Sequence, residues 1–252
     1  MTDMAFGIDI GGSGIKGALV DLSTGTLAAN RVRIPTPDPS TPKAVAQTVS
    51  SMLAAYPADL AGLPIGITIP AVVTHGVTRS AANIDKKWID YPAQDVLGDI
   101  LGRPVVLMND ADAAGLAEVR YGAAKDHDGM VIVTTLGTGI GTAMIYRGVL
   151  IPNFELGHLE IDGFDAEKRA AASARTKENL SWPAYGKRLL KYYQTLEKLF
   201  TPDLFVVGGG VSKDFDQYAE YLTLSTPIIP AQLRNQAGIV GAARYAADGA
   251  TA

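Results

Sequence analysis

The stretch MAFGIDIGGSGIKGALVDL, residues 4–22, decides the fold. An apolar run, Met4–Ile10, breaks into Gly11-Gly12-Ser13-Gly14, and Gly12, Gly14 and Gly17 satisfy G-x-G-x-x-G. In a dinucleotide-binding turn that spacing opens a helix. Here the continuation IKGALVDL alternates as a strand does and turns at Thr24-Gly25. No acidic residue ends a second strand about 20 positions on, because residues 35–42 are rich in proline. A Walker A loop also fails, since no Gly-Lys-Ser/Thr follows at the required spacing. A glycine-rich β-hairpin fits better, because glycines let backbone N–H groups crowd an anion without Cβ obstruction. Asp9, at the end of the first strand, could then face a Mg²⁺ that neutralises phosphates. A tight hairpin with Asp9 capping its turn accounts for the same residues.

Working outward, apolar runs bounded by Gly, Pro, Asn or Asp predict strands at 4–10, 15–22, 65–69, 105–108, 130–136, 142–150 and 204–207. Thr41-Pro42 starts a helix running to about Tyr56, and Asn109 caps a second. Tyr185, Leu189, Tyr193, Leu196 and Phe200 share one face of a third, and 237–247 is a small-residue helix. A further helix begins near Asp214, and the alternating charges of 167–178 read as a solvated helix face. The mixture is α/β. GGSGIKGALV (11–20) and LGTGIGTAMI (136–145) repeat one design, a strand followed by a Gly-Ser/Thr-Gly turn and another strand. The repeat points to two lobes facing a cleft, divided as 1–108 and 109–252, with the last helix packing back toward the first lobe.

The 252 residues contain no cysteine, which excludes disulfides, thiolate zinc sites, Fe–S clusters and a thiol nucleophile. A net charge of −4 argues against a nucleic-acid platform. No run approaches a membrane span of about 18 apolar residues, and the N-terminus has no basic segment of a signal peptide, so a cytoplasmic location is expected.

Three further clusters can carry chemistry. Asp110 follows a buried-looking strand at a helix start, where the dipole favours a carboxylate able to deprotonate an alcohol. N-capping by Asn109, with Asp110 and Asp112 as dipole acids, is the plainer account. Glu155-Leu156-Gly157-His158 lacks the second copy of a di-iron site and the Cys pair of a zinc deaminase, but could grip vicinal hydroxyls. Gly208-Gly209-Gly210 makes a strand–glycine–helix turn suited to a ligand.

Taken together, DIGGSGIKG (9–17), NDAD (109–112), LGTGIGTA (136–143), ELGH (155–158), VVGGGVSK (206–213) and AGIVGAA (237–243) resemble, in order and over nearly the whole chain, the ROK-type sugar kinases. Within that family the sequence is most similar to the short bacterial polyphosphate glucokinases, including enzymes that accept mannose or ATP. The resemblance implies a two-lobed actin-like ATPase/hexokinase (ribonuclease H-like) fold with a cleft between the lobes. It implies phosphoryl transfer from polyphosphate and/or ATP to the 6-hydroxyl of glucose or mannose in a cytoplasmic homodimer. Asp110 matches the catalytic base, and Asn109, Glu155 and His158 match sugar ligands, with Glu167 and Asn83 completing that pocket. Asp9 matches the magnesium apparatus. Gly11, Gly12, Ser13, Gly14, Gly137, Thr138, Gly139 and Gly141 match the phosphate loops, and Gly208, Gly209 and Gly210 the nucleotide-side turn. Lys16 lies two places beyond the basic residue of many relatives and could reach a phosphate.

Most family members carry a Cys-rich zinc motif between the Gly-His and the last glutamate. This chain has only eight residues between His158 and Glu167 and no Cys, so no zinc is expected. Lys16, Arg79, Lys86, Lys87, Lys213 and Arg234 are candidate cations for a polymeric anion, Lys86-Lys87 beside Asn83 and Trp88 most of all. No DNA-binding segment precedes Asp9, which weighs against a non-catalytic sugar-binding regulator. An NAD-dependent oxidoreductase rests on G-x-G-x-x-G alone.

Overall fold

The computed structural model describes residues 3–56, 60 and 62–249. It divides into two compact units: residues up to Ala113 together with those from Gln236 onward, and Ala114–Asn235.

In the first unit β1 (Met4–Ile10) and β2 (Ile15–Asp21) form the expected hairpin. β3 (Thr26–Leu27) and β4 (Val32–Ile34) both pair with β2. Helix α1 (Pro42–Ala54) starts where Thr41 accepts the Ala44 N–H, with proline in the first turn where no donor is missed. β5 (Ile65–Ile69), the ribbon β6 (Val73–Thr74) and β7 (Val77–Thr78), α2 (Ala93–Leu101), β8 (Val106–Asn109) and α3 (Asp110–Tyr121) follow. The sheet runs β3-β2-β1-β5-β8, antiparallel up to β1 and parallel from β1 to β8.

The second unit repeats this plan. β9 (Met130–Leu136), β10 (Ile140–Tyr146) and β11 (Val149–Ile151) are antiparallel neighbours. A small ribbon, β12 (Glu160–Ile161) and β13 (Phe164–Asp165), leads into α4 (Ala166–Ala170), α5 (Ala172–Lys177) and α6 (Trp182–Phe200). β14 (Leu204–Gly208) and β15 (Ile228–Pro230) complete a sheet of order β11-β10-β9-β14-β15, with β9, β14 and β15 parallel. The likeness between 11–20 and 136–145 thus marks a duplicated sheet. Ile132, Phe205, Val207, Tyr185, Leu189 and Tyr193 build this unit's core between α6 and the sheet.

Helix α7 (Ala237–Gly249) packs on β1 and β5 of the first unit. The division therefore differs from that expected at residue 108: the boundary falls inside α3, after Ala113, and the C-terminal segment belongs with the first unit. Glycine makes this contact possible. A Cβ on Gly7 or Gly66 would overlap the carbonyl of Ile239 or Ala242, and one on Gly241 would overlap that of Ala113.

Three local expectations are corrected, and one helix was not foreseen. The strand foreseen over 142–150 is two strands, β10 and β11, because Arg147 and Gly148 take positive φ and reverse the chain. The segment after Gly210 is a 3-10 stretch, Gly210–Gln217, kinked at Asp214, and not an α-helix. The charged stretch 167–178 is two short helices that bury Ala170, Ala171 and Ala174, so it is not merely a solvated face. Finally, α2 went unpredicted; its signal was Ala93, Leu97 and Leu101 at helical spacing, closed by Gly102 in the left-handed conformation.

The α7 contact yields a paired test in chemical denaturation. Gly66→Ala should lose about 1–3 kcal/mol, because a methyl group there meets backbone that cannot yield. Gly98→Ala, where the new Cβ meets nothing closer than Arg103 O at 3.4 Å, should gain up to about 1 kcal/mol of helix propensity. Equal effects would contradict the close approach of α7.

Candidate active site

The carboxyl ends of β1, β5 and β8 gather one set of candidates on the first unit. Asp9 stands opposite Lys16 on β2 and Thr68 on β5. Lys16 Nζ donates to Asp9 Oδ2 at 3.0 Å and Thr68 Oγ1 to Oδ1 at 3.1 Å. Lys16 is therefore an ion-pair partner of Asp9 before it is a phosphate ligand. The first turn of α7 lies against the same carboxylate, since a Cβ on Gly238 would come within 3.1 Å of Asp9 Cγ.

The Gly11–Gly14 turn closes with the Gly11 N–H donating to Gly14 O at 3.1 Å. Thr36 donates to Gly11 O, and Arg33 Nη2 donates to Ser13 O at 3.0 Å. Two carbonyls of the turn are thus engaged by flanking side chains and a third by the turn itself, while the N–H groups of Gly12, Ser13 and Gly14 stay out of its internal bonding. That exposes donors in the way an anion requires. Asn83, with φ of 59°, rests on Gly12, whose Cβ would sit 3.0 Å from Asn83 O. Its backbone thus lies beside the first glycine turn. The strand β2 after Gly14 removes the helix that an NAD fingerprint needs.

At the end of β8, Asn109 is buried and does what the plainer account expected. Its Oδ1 accepts the N–H groups of Ala111 and Asp112 at 2.8 and 3.0 Å, and its Nδ2 donates to Ala71 O at 3.1 Å. Asp110 follows as the first residue of α3, half-buried, and accepts the Ala111 N–H at 2.9 Å. At about 4.8 Å per strand, two strand spacings separate the end of β8 from that of β1, roughly 10 Å.

A second set assembles on the second unit. The Gly137–Gly139 turn closes with the Gly137 N–H donating to Gly139 O at 3.0 Å. Ser173 engages the other carbonyls, its N–H donating to Gly137 O at 3.0 Å and its hydroxyl to Thr138 O at 2.6 Å. Gly141 sits one residue into β10. Glu167 lies on this turn: it accepts the Ile140 N–H at 3.2 Å, and its carboxylate fills the space beside Gly139. Glu155 and His158 flank a 3-10 turn, Leu156–His158, with Glu155 Oε2 3.9 Å from His158 Nε2. Burial pushes the Glu155 carboxyl up, His158 opposes this, and the charge of Glu167 adds to it. The structure therefore clusters Glu155, His158 and Glu167 around one glycine turn. Gly209, with φ of 78°, packs against Leu136 at the start of that turn, but Gly208–Gly210 lead into 3-10 geometry, so no α-helix dipole stands behind them.

Three positioning residues were missed from sequence. Thr142, 2% exposed, accepts the Leu156 N–H at 3.1 Å and donates to Phe154 O at 2.5 Å, pinning the Glu155–His158 turn to β10. Ser173 lay inside the stretch read as a solvated face. Arg33 lay outside the elements read from the sequence, and only the β2–β4 pairing shows that it reaches the glycine turn. Of the cations that were proposed, Arg79 is engaged with Asp90 at 3.1 Å. Among the described residues no group of three or more His, Cys, Asp or Glu could hold a metal, and no helix is long and apolar enough to cross a membrane.

Known proteins share this sequence pattern and fold. The polyphosphate glucokinase of Mycobacterium tuberculosis is 50% identical over 239 residues, covering 94% of this chain and 89% of that protein. The inorganic polyphosphate/ATP-glucomannokinase of Arthrobacter sp. strain KM superposes with a TM-score of 0.92 at 54% identity, covering 98% of this chain and 99% of that one. A ROK family glucokinase from Streptomyces griseus, solved with glucose and AMPPNP, gives a TM-score of 0.82 at 25% identity, covering 98% and 100%. The two sheets, with their paired glycine turns, are thus the actin-like ATPase/hexokinase architecture of the ROK sugar kinases. The ROK family profile matches residues 5–171, more than half of the sequence, and the chain belongs to the ROK family.

Proposed function

We propose that this chain is a polyphosphate/ATP-dependent glucokinase, transferring a phosphoryl group to the 6-hydroxyl of glucose. The observation that carries the reading is the placing of Asp110 at the same sheet end as a glycine turn in which the Gly11, Ser13 and Gly14 carbonyls are engaged while the Gly12, Ser13 and Gly14 amides stay out of the turn's internal bonding. An alcohol needs a base, and a transferring phosphoryl group needs donors aimed at its oxygens. Both stand at one sheet end. Mannose differs from glucose at C2 and offers the same 6-hydroxyl.

In this reaction Asp110, at the positive end of α3, orients the 6-hydroxyl and accepts its proton as the new O–P bond forms. The phosphoanhydride bond breaks, and the shortened polyphosphate or ADP leaves with the electron pair. The free amides of Gly12, Ser13 and Gly14 stabilise charge on the donor oxygens. Glu155 and His158 hold sugar hydroxyls as acceptor and donor, with Glu167 beside them, and Asn109 contributes mainly by fixing the start of α3.

Asp9 fits a magnesium ion that keeps most of its waters. It is a single hard carboxylate whose two oxygens are steered by Lys16 and Thr68, and Mg²⁺ binds through one or two carboxylates plus substrate phosphates. Such an ion would neutralise donor charge. Assembly as a homodimer in the cytoplasm belongs to the same reading and rests on the family resemblance alone.

Supplying glucose and Mg²⁺ with either ATP or polyphosphate should yield glucose 6-phosphate. Product from neither donor overturns the reading, and product from ATP alone removes its polyphosphate half. A second test uses the raised Glu155 carboxyl. A carboxyl raised above 4.5 in the folded chain gives its stability below that pH and loses it as pH rises through the folded value. Ionising Glu155 therefore costs the folded chain stability, a cost that sets in as pH rises through the folded value. Glu155→Gln should melt no lower than the parent at pH 7 while its KM for glucose rises, and the acid limb that Glu155 gives to kcat/KM should vanish. A lower melting temperature with unchanged KM would make Glu155 a structural residue.

A further inference from the structure

The two glycine turns are built alike but carry opposite charge. On the second turn lies the carboxylate of Glu167, bonded to the Ile140 N–H. On the first lies a guanidinium. The pairing of β1, β2 and β4 sets Asp9 opposite Lys16 and Lys16 opposite Arg33, so all three side chains share one sheet face. Asp9 and Lys16 are ion-paired and largely cancel. Arg33 pairs with no carboxylate among the described residues.

The Arg33 guanidinium covers Gly14 so closely that a Cβ there would be 2.8 Å from both Nε and Nη2. It spends one bond on Ser13 O. A guanidinium has five N–H donors in a fork that matches phosphate, so the others remain for a ligand. On the opposite flank, Asn83 rests on Gly12 and begins a rigid turn. Asp85 accepts the Lys87 N–H at 2.8 Å, and the fully buried Trp88 donates from its indole to Ser40 O at 2.8 Å. Lys86 and Lys87 are displayed on this anchored turn, exposed and without an ion pair among the described residues. The overall charge of the chain is −4, so cations on the two segments that flank the glycine turn are a local feature.

We propose that Arg33, continued by Lys86 and Lys87, forms a subsite for phosphate groups of the donor beyond the one transferred, suited to a linear polyphosphate chain. The proposal rests on the phosphoryl-transfer reading above and names the part of that site which favours a polymer. Arg33 would meet phosphates next to the glycine turn, a position that ATP also reaches. The lysine pair would meet only a longer anion.

The test is made on the full chain, by equilibrium titration with polyphosphate and by kinetics with polyphosphate and with ATP, each over a range of salt. Removal of one charge-assisted contact should weaken polyphosphate about tenfold in Arg33→Ala, in Kd and in KM. Because each neutralised phosphate releases counterions, the salt dependence should flatten, and the KM for glucose should stay within about twofold. Arg33→Lys should recover part of the loss. Lys86→Ala with Lys87→Ala should raise the KM for polyphosphate by a larger factor than that for ATP. The proposal is overturned if Arg33→Ala lowers kcat with both donors while the salt slope and donor KM stay unchanged, which would make Arg33 only a brace for the turn. It is overturned equally if the lysine substitutions affect both donors alike. Titration separates this outcome from failure of the broader reading. A chain that binds polyphosphate through these residues but forms no product refutes the kinase and keeps the subsite. One that turns over with ATP and does not bind polyphosphate does the reverse.

Discussion

The close approach of helix α7 to strands β1 and β5 is the constraint on which the first unit depends. It exists because Gly7, Gly66 and Gly241 have no Cβ: any side chain at the first two would occupy the α7 backbone, and one at the third would occupy the carbonyl of Ala113. Backbone-to-backbone contact fixes the helix far more tightly than a layer of leucines would, since interiors tolerate little overlap. The first turn of α7 is thereby set beside Asp9. The same sheet face carries Lys16 and Arg33, so the chemistry of the first glycine turn is anchored by a segment more than 220 residues away in the chain.

Duplication with asymmetry is the second theme. Two five-strand paths of identical order place two hairpin turns at equivalent positions, and each turn has its carbonyls engaged by a neighbouring segment. In the first unit the engaging groups are Thr36 and Arg33; in the second they are the N–H and hydroxyl of Ser173. The charge then diverges. Arg33 lies on the first turn, whereas Glu167, grouped with Glu155 and His158, lies on the second.

Much of this was legible in the sequence because it is local. Strand alternation after Gly14 distinguished a hairpin from a dinucleotide turn, and the Thr41-Pro42 and Asn109 caps marked the starts of α1 and α3. What stayed hidden depends on tertiary pairing. Arg33 carries no signal of its own until β4 pairs with β2. Ser173 sits in a stretch whose alternating charges suggest only solvent, yet it engages the second turn beside Glu167, which the family resemblance had singled out. Glu118 looks like a surface acid on α3, but it is 1% exposed and accepts the N–H groups of Ala123, Gln232 and Leu233 at 2.7, 3.1 and 2.7 Å. The β12–β13 ribbon and α4 carry Glu167 to the second glycine turn.

The proposed chemistry turns on one carboxylate, and Asp110→Asn tests it most directly when glucose affinity by calorimetry and glucose 6-phosphate formation are measured on the same sample. Asparagine keeps the size and the acceptor for the Ala111 N–H but cannot take a proton. The account predicts glucose binding close to that of the parent with kcat reduced by about 10²–10⁴-fold. Turnover within about tenfold of the parent, too small a loss for a missing general base, would contradict it.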